Sequence, residues 1–321
     1  MKRRVLMAAS VAAVLPLRAR AQEYPNRPIK LIVPWAPGGS TDQLGRILTV
    51  KLSEQMGQAW VIENKPGATG TIGHAVAARA APDGYTFLFA SNSTFSIASH
   101  LYKDLTYDDV KSFAPVSFAG FNAQILSVHP GFPAKTYAEF IALAKARPGE
   151  INFSTAGIGS TSHLATELLM SMAGIKMTHV PYKGGDPSLQ ALLAGETKMS
   201  FVDISSAVPH AEGGRIRALA TSTARRVSVM PNLPTIAESG VPGFESSTAF
   251  AMFAPAGTPT AMTERVAREI DKALASEDVK RILKVQGVEP VGGPPGDLAA
   301  FQKADSAKWG KIIQDRAIKF E

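Results

Sequence analysis

The chain contains no cysteine in 321 residues. That excludes disulfides, thiolate metal sites and an anchor built on a lipid-modified cysteine. Charge is sparse, at 19%, in a chain that is 45% hydrophobic, a balance suited to packed globular lobes and not to disorder. No Lys/Arg cluster of the kind that nucleic acid requires is present. No apolar run reaches the ~20 residues needed to span a bilayer as a helix. The six histidines, His74, His100, His129, His163, His179 and His210, fall in no metal-ligand spacing. Internal repeats, low-complexity tracts and an interdomain linker are also missing. The length suits two domains, and without a linker the chain is free to cross between them more than once.

What is present begins with an export signature. Lys2, Arg3 and Arg4 precede an apolar run over residues 5–17, and Ala19-Arg20-Ala21 supplies a small-x-small site, so cleavage is expected before Gln22. Arg3-Arg4-Val5-Leu6 is a partial twin-arginine match, which leaves both export routes open. Five of the 34 basic residues lie in this segment and none of the acids does, which leaves 29 bases against 27 acids. The exported chain is therefore near neutral.

After Pro28, short apolar runs alternate with helical periodicity. Strands are expected over residues 29–33, 60–62, 86–90, 151–153, 177–180, 199–202 and 216–220. Ser40 or Thr41 can cap a helix whose Leu44, Ile47, Leu48, Leu52 and Met56 share one face. Further helices are expected over 71–80, 136–146, 162–173 and 188–194, and helices dominate from Thr260 onward. Thr136 and Glu139 form a capping box. Alternating β and α elements imply an α/β protein with mostly parallel sheets.

Two loops carry the most chemistry. PWAPGGSTD, residues 34–42, joins a strand to a helix; Gly38 and Gly39 allow close backbone approach, and the helix N-terminus beyond them suits an anion. A Gly-Gly turn capped by Ser, Thr or Asp needs no ligand and accounts for the same residues. The loop is neither a P-loop nor a dinucleotide fingerprint. STAGIGSTSHL, residues 154–164, repeats the arrangement with Gly157, Gly159 and five hydroxyls. Asp203 closes an apolar strand at the end where α/β proteins bind ligands, and a helix cap explains it equally well. Asn64-Lys65-Pro66-Gly67 and Pro181-Tyr182-Lys183-Gly184-Gly185 are turn-rich and can rim a cleft. Ser160 sits in no G-x-S-x-G elbow, so hydrolase chemistry lacks its local signature.

The pieces PWAPGGSTDQLGR, ENKPGATGTIG, PDGYTFL, STAGIGSTSHL, HVPYKGGDPSLQALLAGE, GRIRALATST and FAPAGTP, in this order and spacing, span nearly the whole exported chain. Together they make it similar to the substrate-binding proteins of tripartite tricarboxylate transporters, the Bug proteins. The resemblance implies a type II periplasmic binding-protein fold with two lobes closing on a solute in the periplasm. Residues 22–125 with 250–321 would form the first lobe and 126–249 the second. It further implies a monomer that captures a small carboxylate for membrane transporter subunits, with no cofactor, no metal and no catalysis. Trp35, Gly38, Gly39, Ser40, Thr41 and Ser91 would contact the solute from the first lobe. Thr155, Gly157, Gly159, Ser160, Thr161, His163 and Asp203 would do so from the second. Trp35 stands where the family usually has Phe, and SNSTFSIASHLY, residues 91–102, has little counterpart. Two other roles fit the same residues: a sensor module for a membrane kinase, and an exported serine hydrolase using Ser160 with His163.

Overall fold

The structure is a computed structural model that describes residues 24–318; the expected export segment, 1–21, lies outside them. The first βα units follow the periodicity closely. β1 (Ile29–Val33), α1 (Ser40–Met56), β2 (Trp60–Asn64), α2 (Thr71–Ala78) and β3 (Thr86–Ser91) come in order, and β1 pairs in parallel with both β2 and β3. Leu44, Leu48, Leu52 and Met56 are buried along α1, as the three- and four-residue spacing requires.

The segment after β3 forms a π-turn at Ser93–Ile97 and a single helical turn, α3 (Ala98–Leu101). β4 (Phe113–Val128) follows, a strand the sequence pattern did not announce, then α4 (Tyr137–Ala146). The Thr136 hydroxyl accepts the Glu139 amide at 3.2 Å and Glu139 reaches back to the Lys135 amide at 2.6 Å, a capping box shifted by one residue at its return.

A second set of units builds the other sheet. β5 (Asn152–Thr155), α5 (Thr161–Ala173), β6 (Thr178–Pro181), α6 (Gly185–Leu193), β7 (Met199–Asp203), α7 (Ile204–Glu212) and β8 (Arg217–Thr221) follow in sequence. β9 (Ser247–Pro255), also unannounced, leads to α8 (Thr260–Ala275), α9 (Glu277–Val285), β10 (Val288–Pro290) and α10 (Pro295–Asp315). The short β10, which pairs with β4, interrupts the helices expected from Thr260 onward.

β4 and β9 make the connection between the sheets. β4 runs antiparallel to β9 from Phe113 to Ala123, then antiparallel to β7 from Gln124 to Val128, with β8 on its other side. One strand therefore belongs to both sheets. The first has order β2-β1-β3-β9-β4, and in the second β4 continues to β7-β5-β6. Ser222 ties the two crossing strands. Its hydroxyl accepts the Gln124 amide at 2.9 Å and donates to the Ser246 carbonyl at 2.6 Å, and its backbone bonds both residues too.

Each sheet has its own apolar core. Leu31, Val33, Leu44, Phe87, Phe89, Phe250 and Ile270 pack in one, and Leu126, Phe140, Phe153, Leu169, Phe201 and Phe244 in the other. The two meet again through α10, where Trp309 and Ile313 pack with Leu164 of α5. Phe250 is fully buried and stacks on Phe89 with ring centroids 6.5 Å apart. Phe250→Ala should cost about 3–5 kcal/mol, read as a lower denaturant midpoint at unchanged slope.

Candidate functional site: the cleft between the lobes

The loops after β1, β3, β5, β6 and β7 all open into one cleft, as expected for the carboxyl ends of parallel strands. Its cavity of about 80 Å³ is lined by Trp35, Gly39, Ser40, Thr41, Ser91, Ser93, Gln124, Ser160, Thr161, Gly184 to Ser188, Asp203 and Thr248, among others. That is small beside the roughly 300–1,000 Å³ of drug-sized ligand sites. Four helices, α1, α5, α6 and α7, start at this cleft. α1, α6 and α7 begin at Gly39, Gly184 and Asp203 with no side-chain cap on their first-turn amides. Uncapped N-termini are donor-rich and carry about half a positive charge each. Among the described lining residues there is no Lys, Arg or His.

The β1–α1 loop is held from behind. Asp42 is buried and accepts Gly38 N–H at 3.0 Å, Asn64 Nδ2 at 2.9 Å and both Arg46 donors at 2.8 and 3.0 Å. Burial pushes the Asp42 carboxyl upward, but Arg46, Gly38 and Asn64 outweigh it and hold it below the usual carboxylate range. Gly38 has φ +93, and a Cβ there would stand 2.8 Å from Asp186 Oδ2, so its backbone bends against the opposite lobe. The Trp35 indole donates to Ser91 Oγ at 3.1 Å and fixes the upper wall.

The β5–α5 loop is held differently. Ser160 caps α5, accepting His163 N–H at 3.3 Å, and donates to the Gly157 carbonyl at 2.7 Å. Gly159 N–H bonds His163 Nδ1 at 3.1 Å. His163 stacks on His179 at 4.1 Å, His179 on Phe153 at 5.0 Å, and Thr155 Oγ1 bonds His179 Nε2 at 2.6 Å. The nucleophile–base hydrogen bond of a hydrolase is not made here: Ser160 Oγ is committed to the loop and His163 Nδ1 faces Gly159.

The two sheets are joined across the cleft by hydroxyls. Ser40 Oγ donates to Asp203 Oδ2 at 2.5 Å, and Thr248 Oγ1 to Asp203 Oδ1 at 2.9 Å. Thr161 Oγ1 lies 3.1 Å from Thr248 Oγ1, and Thr161 N–H donates to Ser93 Oγ at 3.1 Å. Farther out, Thr69 Oγ1 donates to the Ile158 carbonyl at 2.9 Å. Burial raises the Asp203 carboxyl; hydrogen bonds from Ser40, Thr248 and Gln124 oppose this, and the nearby Asp186 charge adds to the rise. Asp186 is itself raised, by burial and by the charge of Asp42.

Of the residues expected from the sequence, Trp35, Gly39, Ser40, Thr41, Ser91, Ser160, Thr161 and Asp203 lie on the cleft wall. Gly38, Thr155, Gly157, Gly159 and His163 are not among the lining residues; Gly38, Gly157, Gly159 and His163 bond within their own loops, and Thr155 also bonds His179. Gly184 and Gly185 come from the loop expected to rim the cleft, whereas Asn64 braces the β1–α1 loop instead. Gln124, Asp186 and Thr248 were not expected. Gln124 and Thr248 belong to the two crossing strands that periodicity missed, and Asp186 had only its place after Gly184-Gly185 to mark it.

The chain matches the model of the tripartite tricarboxylate transporter family receptor over residues 44–318. It belongs to that family. BugT of Bordetella pertussis is 35% identical over 94% of this chain and 93% of its own length. The structure of Rpa4515 of R. palustris with adipate is 36% identical, covers 92% of this chain and 99% of its own, and superposes with a TM-score of 0.90. MatC of Rhodopseudomonas palustris, with bound malate, is 31% identical, covers 90% and 100%, and has a TM-score of 0.85. The α/β architecture is thus that of a type II periplasmic binding protein, with two lobes around a ligand cleft.

Two predictions follow from how this receptor holds its second loop. Ser160→Ala removes the α5 cap and should destabilise by about 0.5–2 kcal/mol, measurable by thermal melting. Burial, and for His163 the neighbouring His179, lower the histidines to about 3 for His163 and about 4 for His179. Both stay neutral in the fold but protonate near pH 6.5 when unfolded. Stability from each is whole above about pH 6.5 and falls as acid is added, by up to about 1.4 kcal/mol per pH unit toward the folded value. A melting temperature that held level from pH 7 to pH 5 would contradict this, and His163→Gln should flatten the decline.

Proposed function

We propose that this protein is a periplasmic receptor that closes on a small carboxylate solute and delivers it to the membrane subunits of a tripartite tricarboxylate transporter. The observation that carries the reading is the convergence of four helix N-termini on one small cleft without a basic side chain. A buried carboxylate needs compensating donors, and backbone amides of α1, α6 and α7 with the hydroxyl of Thr41 supply them. Adipate in Rpa4515 and malate in MatC support the solute class.

In this reading Trp35, Gly39, Ser40, Thr41 and Ser91 contact the solute from one lobe. Ser160, Thr161 and Asp203 contact it from the other. Gly38, Thr155, Gly157, Gly159 and His163 shape the two loops. We take the lobes as residues 22–125 with 250–321, and 126–249; the pairing of β4 changes from β9 to β7 at Ala123–Gln124, which supports the first boundary. The receptor works as an exported monomer, without metal, cofactor or turnover. The engaged hydroxyl of Ser160 supports binding over hydrolysis. Solute acts by shifting the population toward the closed form that the transporter engages.

A thermal-shift screen of the mature protein against adipate, malate, succinate, citrate and aromatic acids tests this. A binder present at about 100 times its dissociation constant adds about 2.7 kcal/mol of stability. A folded protein whose melting temperature moved with none of these acids would sink the proposal.

A further inference from the structure

We infer that the solute carries a carboxylate at one end and a hydrogen-bond donor at the other, and that Asp203 receives that donor. The inference rests on the receptor reading above and narrows its substrate class. The cleft offers both kinds of partner. Uncapped amides of α1 and α6 offer donors, while Asp203 at the end of β7 and Asp186 in the first turn of α6 offer acceptors, with no cation among the lining residues. The Arg46 guanidinium, on α1, is committed to Asp42 in a two-pronged ion pair.

Asp203 already behaves as an acceptor. Its oxygens take the hydroxyls of Ser40 at 2.5 Å and Thr248 at 2.9 Å. A carboxylate offers about four lone-pair positions, so acceptor capacity is left toward the cavity. The groups facing it are Ser40 from α1, Thr248 from β9, Gln124 from β4 and Asp186 from α6. Asp42 acts on Asp186 from α1. None of these carries a positive charge.

A second carboxylate placed there meets like charge with no counter-ion. A hydroxyl, an amide or an ammonium group meets an acceptor instead. A dicarboxylate fits only by bringing one proton, shared between its distal carboxyl and Asp203 as between two carboxyl groups in contact. The upward shift of Asp203 by burial and by Asp186 makes that proton easier to hold at neutral pH.

Calorimetric titration of matched pairs tests this: succinate, glutarate and adipate against their monoamides, from pH 6 to pH 8. Diacid affinity should fall with rising pH, approaching tenfold per unit, as uptake of one proton requires. Monoamide affinity should stay level and exceed that of the diacid at pH 8. In Asp203→Asn the diacid slope should vanish and the amide preference disappear, because the new amide can itself donate. Asp186→Asn should move the pH dependence downward and keep the preference. The wild-type comparison stands alone if a variant does not fold. Diacids bound level with pH, or preferred over monoamides at pH 8, would overturn the inference while leaving the receptor reading intact. Binding of neither class by a folded protein would defeat both.

Discussion

Because β4 is hydrogen-bonded to β9 along its first part and to β7 and β8 along its last, neither lobe is complete without a strand it shares with the other. That constraint fixes where the cleft is. The parallel strands of each sheet end toward the junction, so the loops that follow them meet there. The helices that begin in those loops bring their N-termini to the same place. The chemistry of the cleft is thus a consequence of topology before any particular side chain is considered.

Backbone amides suit this position for a physical reason. A Lys or Arg in a cavity this small would hold an anion through one strong contact and would itself need desolvating. Several oriented amides share the charge and are already in place when the solute arrives. The acids beside these amides, Asp203 and Asp186, would be costly in a uniformly anionic pocket. Their presence gives the cleft a polarity that a simple anion trap lacks.

Much of this could be read from the sequence, and the rest has identifiable reasons. The βα units of residues 29–91 and 152–203 were legible because each strand is a short apolar run and each helix a clear stripe, as in Leu44, Leu48 and Leu52; α7 was not expected, being nine residues long with Pro209 inside it. β9, STAFAMFAP, was missed because both its faces are buried, and a continuous apolar run does not declare its period. β4 was missed because Pro115 and Gly120 interrupt it and its register shifts at two bulges. The site split the same way. The two Gly-rich loops were found by composition, while Gln124 and Thr248 stand on the strands that escaped notice. Single-residue roles within a loop were less legible than the loop itself. His163 and Gly159 look like ligand groups in a string of letters, and only the fold shows them bonded to each other.

Ser222 has a mechanical consequence. It is bonded to β4 at Gln124 and to the start of β9 at Ser246, so the two strands that leave one lobe for the other are pinned side by side at one level. Sliding one lobe along the other would break that pin, whereas swinging it about the pin would not. A rotation of one sheet on the other that kept these bonds would have its fulcrum at Ser222, and contacts away from it, such as Thr69 with Ile158, would travel farther for a given angle than Thr161 with Thr248, two residues from Ser246.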